Sequence, residues 1–311
     1  MKAVFMGTPL FAAAALQKMI DMDLDIAAVV TQPDKTKGRG RKLIFSPVKE
    51  LALEHNIPVL QPVRVRRDEE FKKKLAAIAP DVIVVVAFGQ IIPQDILDIP
   101  KFGCINVHAS LLPALRGAAP IQWSIINGDR VTGVTTMQMD AGLDTGDILL
   151  QEKVEISGQD TGGTLTQKLA LAGGPLLEKT LKGLEQGTLT PVPQDDAKTG
   201  MYAKMLTKEM GRIDFSRSAG QIDCLIRGLD PWPSAYGFWN GKLLKIWKCQ
   251  VLEENTDAAP GTVTAIDKKS FTVQTGQGCL RILDVQLEGR KRMDAGSFLR
   301  GNHMQAGQSL Q

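Results

Sequence analysis

Short apolar runs alternate with helical patterns through the first half of the chain, and this alternation constrains the fold more than any other feature. Four runs have the length and continuous hydrophobicity of strands buried on both faces: residues 3–6, 26–30, 81–87 and 104–107. Helical patterns separate them at residues 10–22, 47–55 and 68–79. This β-α-β-α order predicts an α/β fold with a Rossmann-like parallel sheet and helices on both sides.

The composition changes in the last third of the chain. A stretch rich in Pro, Thr and Asp predicts a linker, which we place at residues 189–206. Beyond it, short strand patterns separated by Gly and by the hairpin signal Asn240-Gly241 predict a small OB-like β-barrel. We therefore predict an α/β domain over residues 1–188 and a β-barrel domain over residues 207–311.

A long helical pattern precedes this change, at residues 164–186. The triplet Gly173-Gly174-Pro175 interrupts it. Proline lacks the N–H of the helical ladder, so the triplet predicts either a kink or two shorter helices.

Composition excludes several classes of protein. The net charge is only +3, so any contact with nucleic acid must come from local clusters of basic residues. The four cysteines are scattered without a Cys-x-x-Cys pair, which argues against a zinc site and favours a reducing compartment. The apolar run at residues 82–88 is far shorter than the roughly 20 residues that span a bilayer. We expect a cytoplasmic enzyme or binding protein that needs no membrane.

Two polar side chains end the fourth apolar strand pattern. Asn106 and His108 lie two residues apart, so in an extended chain they point to the same side. Sites in open α/β sheets form at the carboxyl ends of strands, which is where this pair is expected. A lone Asn-x-His is, however, also typical of loop residues that only hydrogen-bond to their neighbours.

A Gly-rich loop follows a later strand pattern and carries three carboxylates, Asp140, Asp144 and Asp147. The Asp-x-Gly-x-Asp order is superficially like a calcium loop. It lacks the spacing and the ligand set of an EF-hand, so we predict no metal.

The run Asn106-Val107-His108-Ala109-Ser110-Leu111-Leu112-Pro113, followed by Asp144, resembles the signature of the 10-formyltetrahydrofolate-dependent formyltransferases. Further stretches resemble the branch of that family whose acceptor is the methionine of initiator methionyl-tRNA. They are residues 6–9, 31–34, 38–43, 116–122, 213–215 and 230–233. Ala114-Leu115 departs from the family pattern, in which a basic or polar residue and an aromatic usually precede Arg116.

The resemblance implies roles for individual residues. Asn106, His108 and Asp144 would be catalytic, and Ser110, Leu111, Leu112 and Pro113 would lie beside the folate of the formyl donor, 10-formyltetrahydrofolate. The chemistry agrees with these roles. A carboxamide N–H can donate to a developing oxyanion, and an imidazole exchanges protons near neutrality. A nearby carboxylate orients an imidazole and favours its charged form.

A basic cluster follows the second strand pattern. Lys35, Lys37, Arg39, Arg41 and Lys42 place five positive charges in eight residues, interleaved with glycines. Without hydrophobic periodicity the cluster is expected to be an exposed loop, and most such loops are merely solvated. Given the resemblance, we expect it to contact the acceptor end of initiator tRNA, and we expect the β-barrel domain of residues 207–311 to bind the tRNA backbone.

Three other functions compete with this interpretation. A folate-dependent formyltransferase could instead act on a small amine such as a ribonucleotide or an amino sugar. A dinucleotide-dependent oxidoreductase would need Gly-x-Gly-x-x-Gly after the first strand, and Met6-Gly7-Thr8-Pro9-Leu10-Phe11 has one glycine. An RNA-binding protein without catalysis would not need Asn106, His108 and Asp144. We expect a monomer whose partners are 10-formyltetrahydrofolate and initiator methionyl-tRNA.

Overall fold

The computed structural model describes residues 1–37 and 42–310. These residues divide into two compact units. The first unit contains Met1–Pro120, Val131–Glu155 and Thr166–Ala203, and the second contains the rest of the described chain. The domain bounds drawn from composition, 1–188, 189–206 and 207–311, stay a prediction.

Nine strands belong to the first unit. They are β1 (Lys2–Gly7), β2 (Asp25–Val30), β3 (Lys35–Lys37), β4 (Lys42–Ile44), β5 (Val59–Leu60), β6 (Val82–Val86), β7 (Cys104–His108), β8 (Val131–Gln138) and β9 (Ile148–Glu155). All except β3 and β4 form one sheet in the order β5-β2-β1-β6-β7-β8-β9. The pairs from β5 to β7 are parallel, whereas β7–β8 and β8–β9 are antiparallel.

Helices alternate with these strands along the chain, and residues 121–130 and 156–165 belong to the second unit. The helices are α1 (Leu10–Asp21), α2 (Pro47–Glu54), α3 (Glu69–Ile78), α4 (Gln94–Leu97), α5 (Pro120–Ile126) and α6 (Gly162–Gln186). The expected start of α2 is confirmed, since Ser46 caps it by accepting a hydrogen bond from Lys49 N and Pro47 opens its first turn. Asp68 caps α3 in the same way through Phe71 N.

The central strands of the first unit do not alternate polar and apolar residues, because both of their faces are buried in the core. Every side chain of β6 is buried, and so is every side chain of β1 after Lys2. Such strands, in the middle of a parallel sheet with both faces covered, must be apolar on both sides. One face packs Met6, Ile83 and Cys104 against Phe71 and Leu75 of α3.

Helix α6 continues through the triplet that was predicted to interrupt it. Its 25 residues include Pro175, so the alternative of two shorter helices is wrong. Leu176, Leu177 and Leu181 of this helix are buried. Burial of an apolar side chain of this size contributes about 1.5–3 kcal/mol, so packing outweighs the lost backbone hydrogen bond.

The second unit is built around an antiparallel sheet. Its strands are β10 (Ala235–Trp239), β11 (Lys242–Leu252), β12 (Val263–Ile266), β13 (Phe271–Gln274), β14 (Cys279–Leu287) and β15 (Met293–Asp294). Their order is β10-β11-β14-β13-β12, with β15 on β14. Helices α7 (Ala219–Gly228) and α8 (Ala295–Gly301) pack on the core of this unit. The β10–β11 hairpin turns at Asn240 and Gly241, both with positive φ, as the Asn-Gly pair predicts.

The predicted fold class is confirmed: an α/β unit with a largely parallel sheet precedes a smaller antiparallel β unit. Across residues 1–37 and 42–310, no helix has both the length and the apolar character that crossing a bilayer requires.

One ion pair joins α1 to α6 and makes the stability of the first unit depend on pH. Lys18 Nζ lies 2.5 Å from Glu178 Oε2, and Lys182 Nζ lies 2.7 Å from Glu178 Oε1. Hydrogen bonds from Lys18 and then Lys182 lower the pKa of Glu178 from 4.5 to about 2. Because the folded pKa is the lower one, the stabilisation is complete above about pH 4.5 and is lost as pH falls through about 2.

We therefore expect Glu178→Gln to lower the Tm by about 1–3 °C at pH 7. The difference from the parent chain should narrow as pH falls from 4.5 towards 2, measured by thermal unfolding across that range. Glu152→Gln, at an exposed position in β9, is the matched control. A difference in Tm that stays constant across this pH range would contradict the assignment of the pH dependence to the Glu178 ion pair.

Candidate active site

The carboxamide of Asn106 is free to contact a substrate. Asn106 is half-buried near the end of β7, between buried residues on either side. Among the residues that the structure describes, its side chain has no hydrogen-bonding partner. A partly desolvated carboxamide without a partner is well suited to donate to a ligand oxygen.

His108 lies two residues further along the same strand face and is held by the backbone. Its Nε2 lies 3.2 Å from the carbonyl oxygen of Leu115. A carbonyl only accepts, so Nε2 carries the proton and Nδ1 is left as the basic nitrogen of the neutral ring. The side chain is only 7% exposed. The imidazole therefore has one orientation, with Nδ1 as the atom that can take a proton.

Asp144 approaches His108 from the loop between β8 and β9. Its Oδ1 lies 3.7 Å from His108 Nδ1, and the carboxylate is 10% exposed. This distance is too long for a hydrogen bond, so the carboxylate acts on the ring by its charge. Its other oxygen, Oδ2, accepts a hydrogen bond of 2.9 Å from the backbone N–H of Gly117.

Asp140 and Asp144 of this loop make different contacts. Asp140 closes the loop, since its Oδ1 accepts hydrogen bonds from Gly142 N at 3.0 Å and Thr145 Oγ1 at 2.8 Å. Asp144 alone faces His108 among the three. Within the described part of the chain, no group of three or more His, Cys, Asp or Glu residues is arranged to hold a metal.

Cys104 shares the strand face of Asn106 but belongs to the hydrophobic core. Burial, and to a smaller extent the charge of Asp98, raise the pKa of its thiol to about 12. A neutral, buried thiol is neither a nucleophile nor a metal ligand.

The segment predicted to lie beside folate forms a tight turn after β7. Ser110 is fully buried, and its hydroxyl donates to the carbonyl oxygen of Ala114 at 2.6 Å. Leu112 is also buried, whereas Leu111 and Pro113 are half-buried. Any direct contact of Ser110 with a ligand would therefore use its backbone.

The basic cluster is only partly described. Lys35 is exposed at the start of β3, and β3 pairs with β4 so that Lys37 lies opposite Lys42. The two ends of the predicted loop therefore belong to paired antiparallel strands. Arg39 and Arg41 lie outside the described residues.

Sequence reasoning missed the residues that support this site. Thr135 is fully buried on β8, accepts from Leu112 N at 3.1 Å and donates to Ser110 O at 2.7 Å. Gln194 donates to the backbone of the Asp144 loop. A strand Thr and a Gln in a proline-rich stretch carry no local signal of such a role, because their partners are distant in sequence.

Comparison with known proteins identifies the family. The sequence profile described as formyl transferase matches residues 1–181, and the profile described as formyl transferase, C-terminal domain, matches residues 205–303. The chain belongs to the formyl transferase family. This confirms the resemblance seen in the sequence, and it makes the chain a formyl-transferring enzyme.

Individual relatives agree with the assignment. Methionyl-tRNA formyltransferase from Lachnospira eligens is 54% identical, over 100% of this chain and 99% of its own length. The crystal structure of WlaRD, a sugar 3N-formyltransferase in the presence of dTDP and 5-N-formyl-THF, has a TM-score of 0.68 at 21% identity, over 94% of this chain and 99% of its own. HypX from Aquifex aeolicus, in complex with tetrahydrofolic acid, has a TM-score of 0.63 at 16% identity. The match covers 100% of this chain and 51% of HypX, so the chain spans about half of that protein.

A glycine next to the site gives a test of the loop geometry. A Cβ on Gly146 would lie 1.8 Å from the carbonyl oxygen of Gln138, so Gly146→Ala must displace the loop that carries Asp144. We expect the rate of formyl transfer to fall by about 100-fold, since displacing a catalytic group by about 1 Å has effects of that size. Steady-state kinetics on the folded variant measures the rate of formyl transfer.

Gly158→Ala is the matched control, because a Cβ there meets no atom within 4 Å. A Gly146→Ala variant that keeps the parent rate would mean that the loop geometry does not matter for catalysis.

Proposed function

We propose that this chain transfers the formyl group of 10-formyltetrahydrofolate to the α-amino group of methionine on initiator methionyl-tRNA, for translation initiation. The observation that carries the proposal is the 54% identity, over essentially the whole of both chains, to the methionyl-tRNA formyltransferase of Lachnospira eligens. Such an acceptor supports the expected cytoplasmic location. A monomeric state stays a prediction.

The amino acids of the site suit direct acyl transfer. The amine nitrogen attacks the formyl carbon, the carbonyl oxygen gains negative charge, and the bond from that carbon to the folate nitrogen then breaks. The free carboxamide of Asn106 would donate to this oxygen. A neutral donor stabilises the oxyanion without attracting unrelated anions.

His108 would move the proton. Its Nδ1 is the basic nitrogen, so it can take the proton that the attacking amine loses and return one to the folate nitrogen as that nitrogen leaves. The Asp144 carboxylate, 3.7 Å from Nδ1, would stabilise the imidazolium between these two events. No covalent enzyme intermediate is needed, and Cys104 could not form one, because burial keeps its thiol neutral.

The folate is expected beside the turn of residues 110–113. Leu111 and Pro113 offer half-buried apolar surface next to Asn106 in sequence, which suits a flat ring with a polar edge. Arg41 and its basic neighbours Lys35, Lys37, Arg39 and Lys42 are proposed to bind the acceptor end of the tRNA.

We expect Asn106→Ala to lower kcat by about 100- to 1000-fold, the usual effect of losing one oxyanion donor, and His108→Ala to have at least as large an effect. The measurement is formylation of charged initiator tRNA with 10-formyltetrahydrofolate at saturating concentrations. Asn127→Ala and His55→Ala, at exposed positions, are the matched controls. Parent-like activity of Asn106→Ala or His108→Ala would remove that residue from the mechanism.

Replacing Arg41 with Leu tests the proposed tRNA contact. We expect the KM for methionyl-tRNA to rise about tenfold while the KM for the folate is unchanged, because the charge is proposed to meet phosphates and not the donor. Arg67→Leu, an exposed arginine of the same unit, is the control. An equal rise in the KM for both substrates would contradict a specific role of Arg41 in tRNA binding.

A further inference from the structure

The side chain of Gln194 joins two segments of the site. Its Nε2 donates to the carbonyl oxygens of Asp144 at 2.9 Å and of Gly146 at 2.7 Å. Its Oε1 accepts from Arg116 Nε at 3.0 Å. The half-buried carboxamide thus makes three hydrogen bonds, two to the loop of Asp144 and one to the segment Leu115–Gly117.

Both of these segments touch the catalytic pair directly. The Leu115 carbonyl binds His108 Nε2, and the Gly117 N–H binds Asp144 Oδ2. Gln194 itself contacts neither the imidazole nor the carboxylate of this pair in any of its three hydrogen bonds. Its influence on the reaction must therefore pass through the backbone.

We propose that Gln194 is a positioning residue for formyl transfer, which holds the backbone of the Asp144 loop so that the carboxylate stays beside His108. The inference rests on the proposed function of this site. It assigns a role in catalysis to the stretch that composition marks only as a linker.

The backbone conformation shows why such a residue is needed. Asp144 has φ of 56° and Leu115 has φ of 57°, both in the left-handed region that residues with a Cβ rarely adopt. Strained conformations of this kind persist only where the surroundings hold them. Two of the hydrogen bonds of Gln194 end within the strained loop, and the third ends on the residue after Leu115.

Arg116 sets the orientation of the carboxamide. Its side chain is buried, and its Nη2 also pairs with Asp196 Oδ1 at 2.9 Å. A guanidinium can only donate, so the oxygen of Gln194 must face Arg116 and the nitrogen must face the two carbonyls. The amide cannot rotate by half a turn without losing all three hydrogen bonds.

The test is a double-mutant cycle between Gln194 and Asp144. We expect Gln194→Ala to lower kcat by about 10- to 100-fold, with the KM values for the folate and for methionyl-tRNA within about twofold of the parent. In a chain that already carries Asp144→Ala, adding Gln194→Ala should change kcat by less than about twofold, because the group that it positions is gone. Steady-state formylation gives kcat and KM for all four proteins, and single-turnover formylation with excess enzyme gives the rate of the transfer step.

Two further variants separate positioning from general stability. Gln194→Glu keeps an oxygen for Arg116 but turns another oxygen toward two carbonyls, so it should lose as much kcat as Gln194→Ala. Gln186→Ala, an exposed glutamine of the same unit, should behave as the parent. The Tm of each variant is measured beside its rate.

Independent, additive effects of the two substitutions would overturn the proposal, and so would parent-like kcat in Gln194→Ala. The unmodified chain is the check on the proposed function itself. If it fails to formylate methionyl-tRNA, the function is wrong. If it succeeds and the cycle is additive, only the role of Gln194 is wrong.

Discussion

The backbone of Leu115–Gly117 is the constraint on which the rest of the site depends. One carbonyl of this segment accepts from the imidazole of His108, and one N–H donates to the carboxylate of Asp144. This short segment therefore holds both the imidazole that we propose as the base and the carboxylate beside it. The side chain between these two backbone groups, Arg116, extends the same control to Gln194. The geometry of the proposed site depends on main-chain hydrogen bonds more than on a direct contact between the side chains of His108 and Asp144.

The change of strand direction within the sheet explains how a distant carboxylate reaches this segment. Strand β8 is antiparallel to β7, so its last residue, Gln138, lies opposite Ile105 and away from the end that carries His108. The loop that follows must return along the sheet to bring Asp144 to the imidazole. The close approach of Gly146 to the Gln138 carbonyl and the left-handed backbone of Asp144 are local consequences of this return.

Much of the architecture could be predicted because it depends on local patterns. Continuous apolar runs predicted β1, β2, β6 and β7, the helical pattern at residues 47–55 predicted α2, and Asn240-Gly241 predicted the β10–β11 turn. The alternative of two shorter helices around the Gly173-Gly174-Pro175 triplet was wrong. Tertiary burial of the leucines after the triplet keeps α6 continuous, although helix propensity favours a break there. Helix α8 has only seven residues, too few for a hydrophobic period to stand out. The roles of Gln194 and Thr135 could not be predicted for another reason. The composition of a segment does not indicate with which distant carbonyl its side chains will form hydrogen bonds.

The sequence by itself determined the chemistry that this protein has available and the family to which it belongs. Asn106, His108 and Asp144 are defined by residue type and order along the chain, and their match to a known signature needs no coordinates. Only the tertiary structure decided that Nε2 of His108 meets the Leu115 carbonyl, that the Asp144 carboxylate lies 3.7 Å from Nδ1, and that Gln194 supports both segments. The physical reason is that hydrogen bonds and charge interactions act over a few ångströms of space, while Asp144 and Gln194 contact residues that lie between 27 and 78 positions away along the chain.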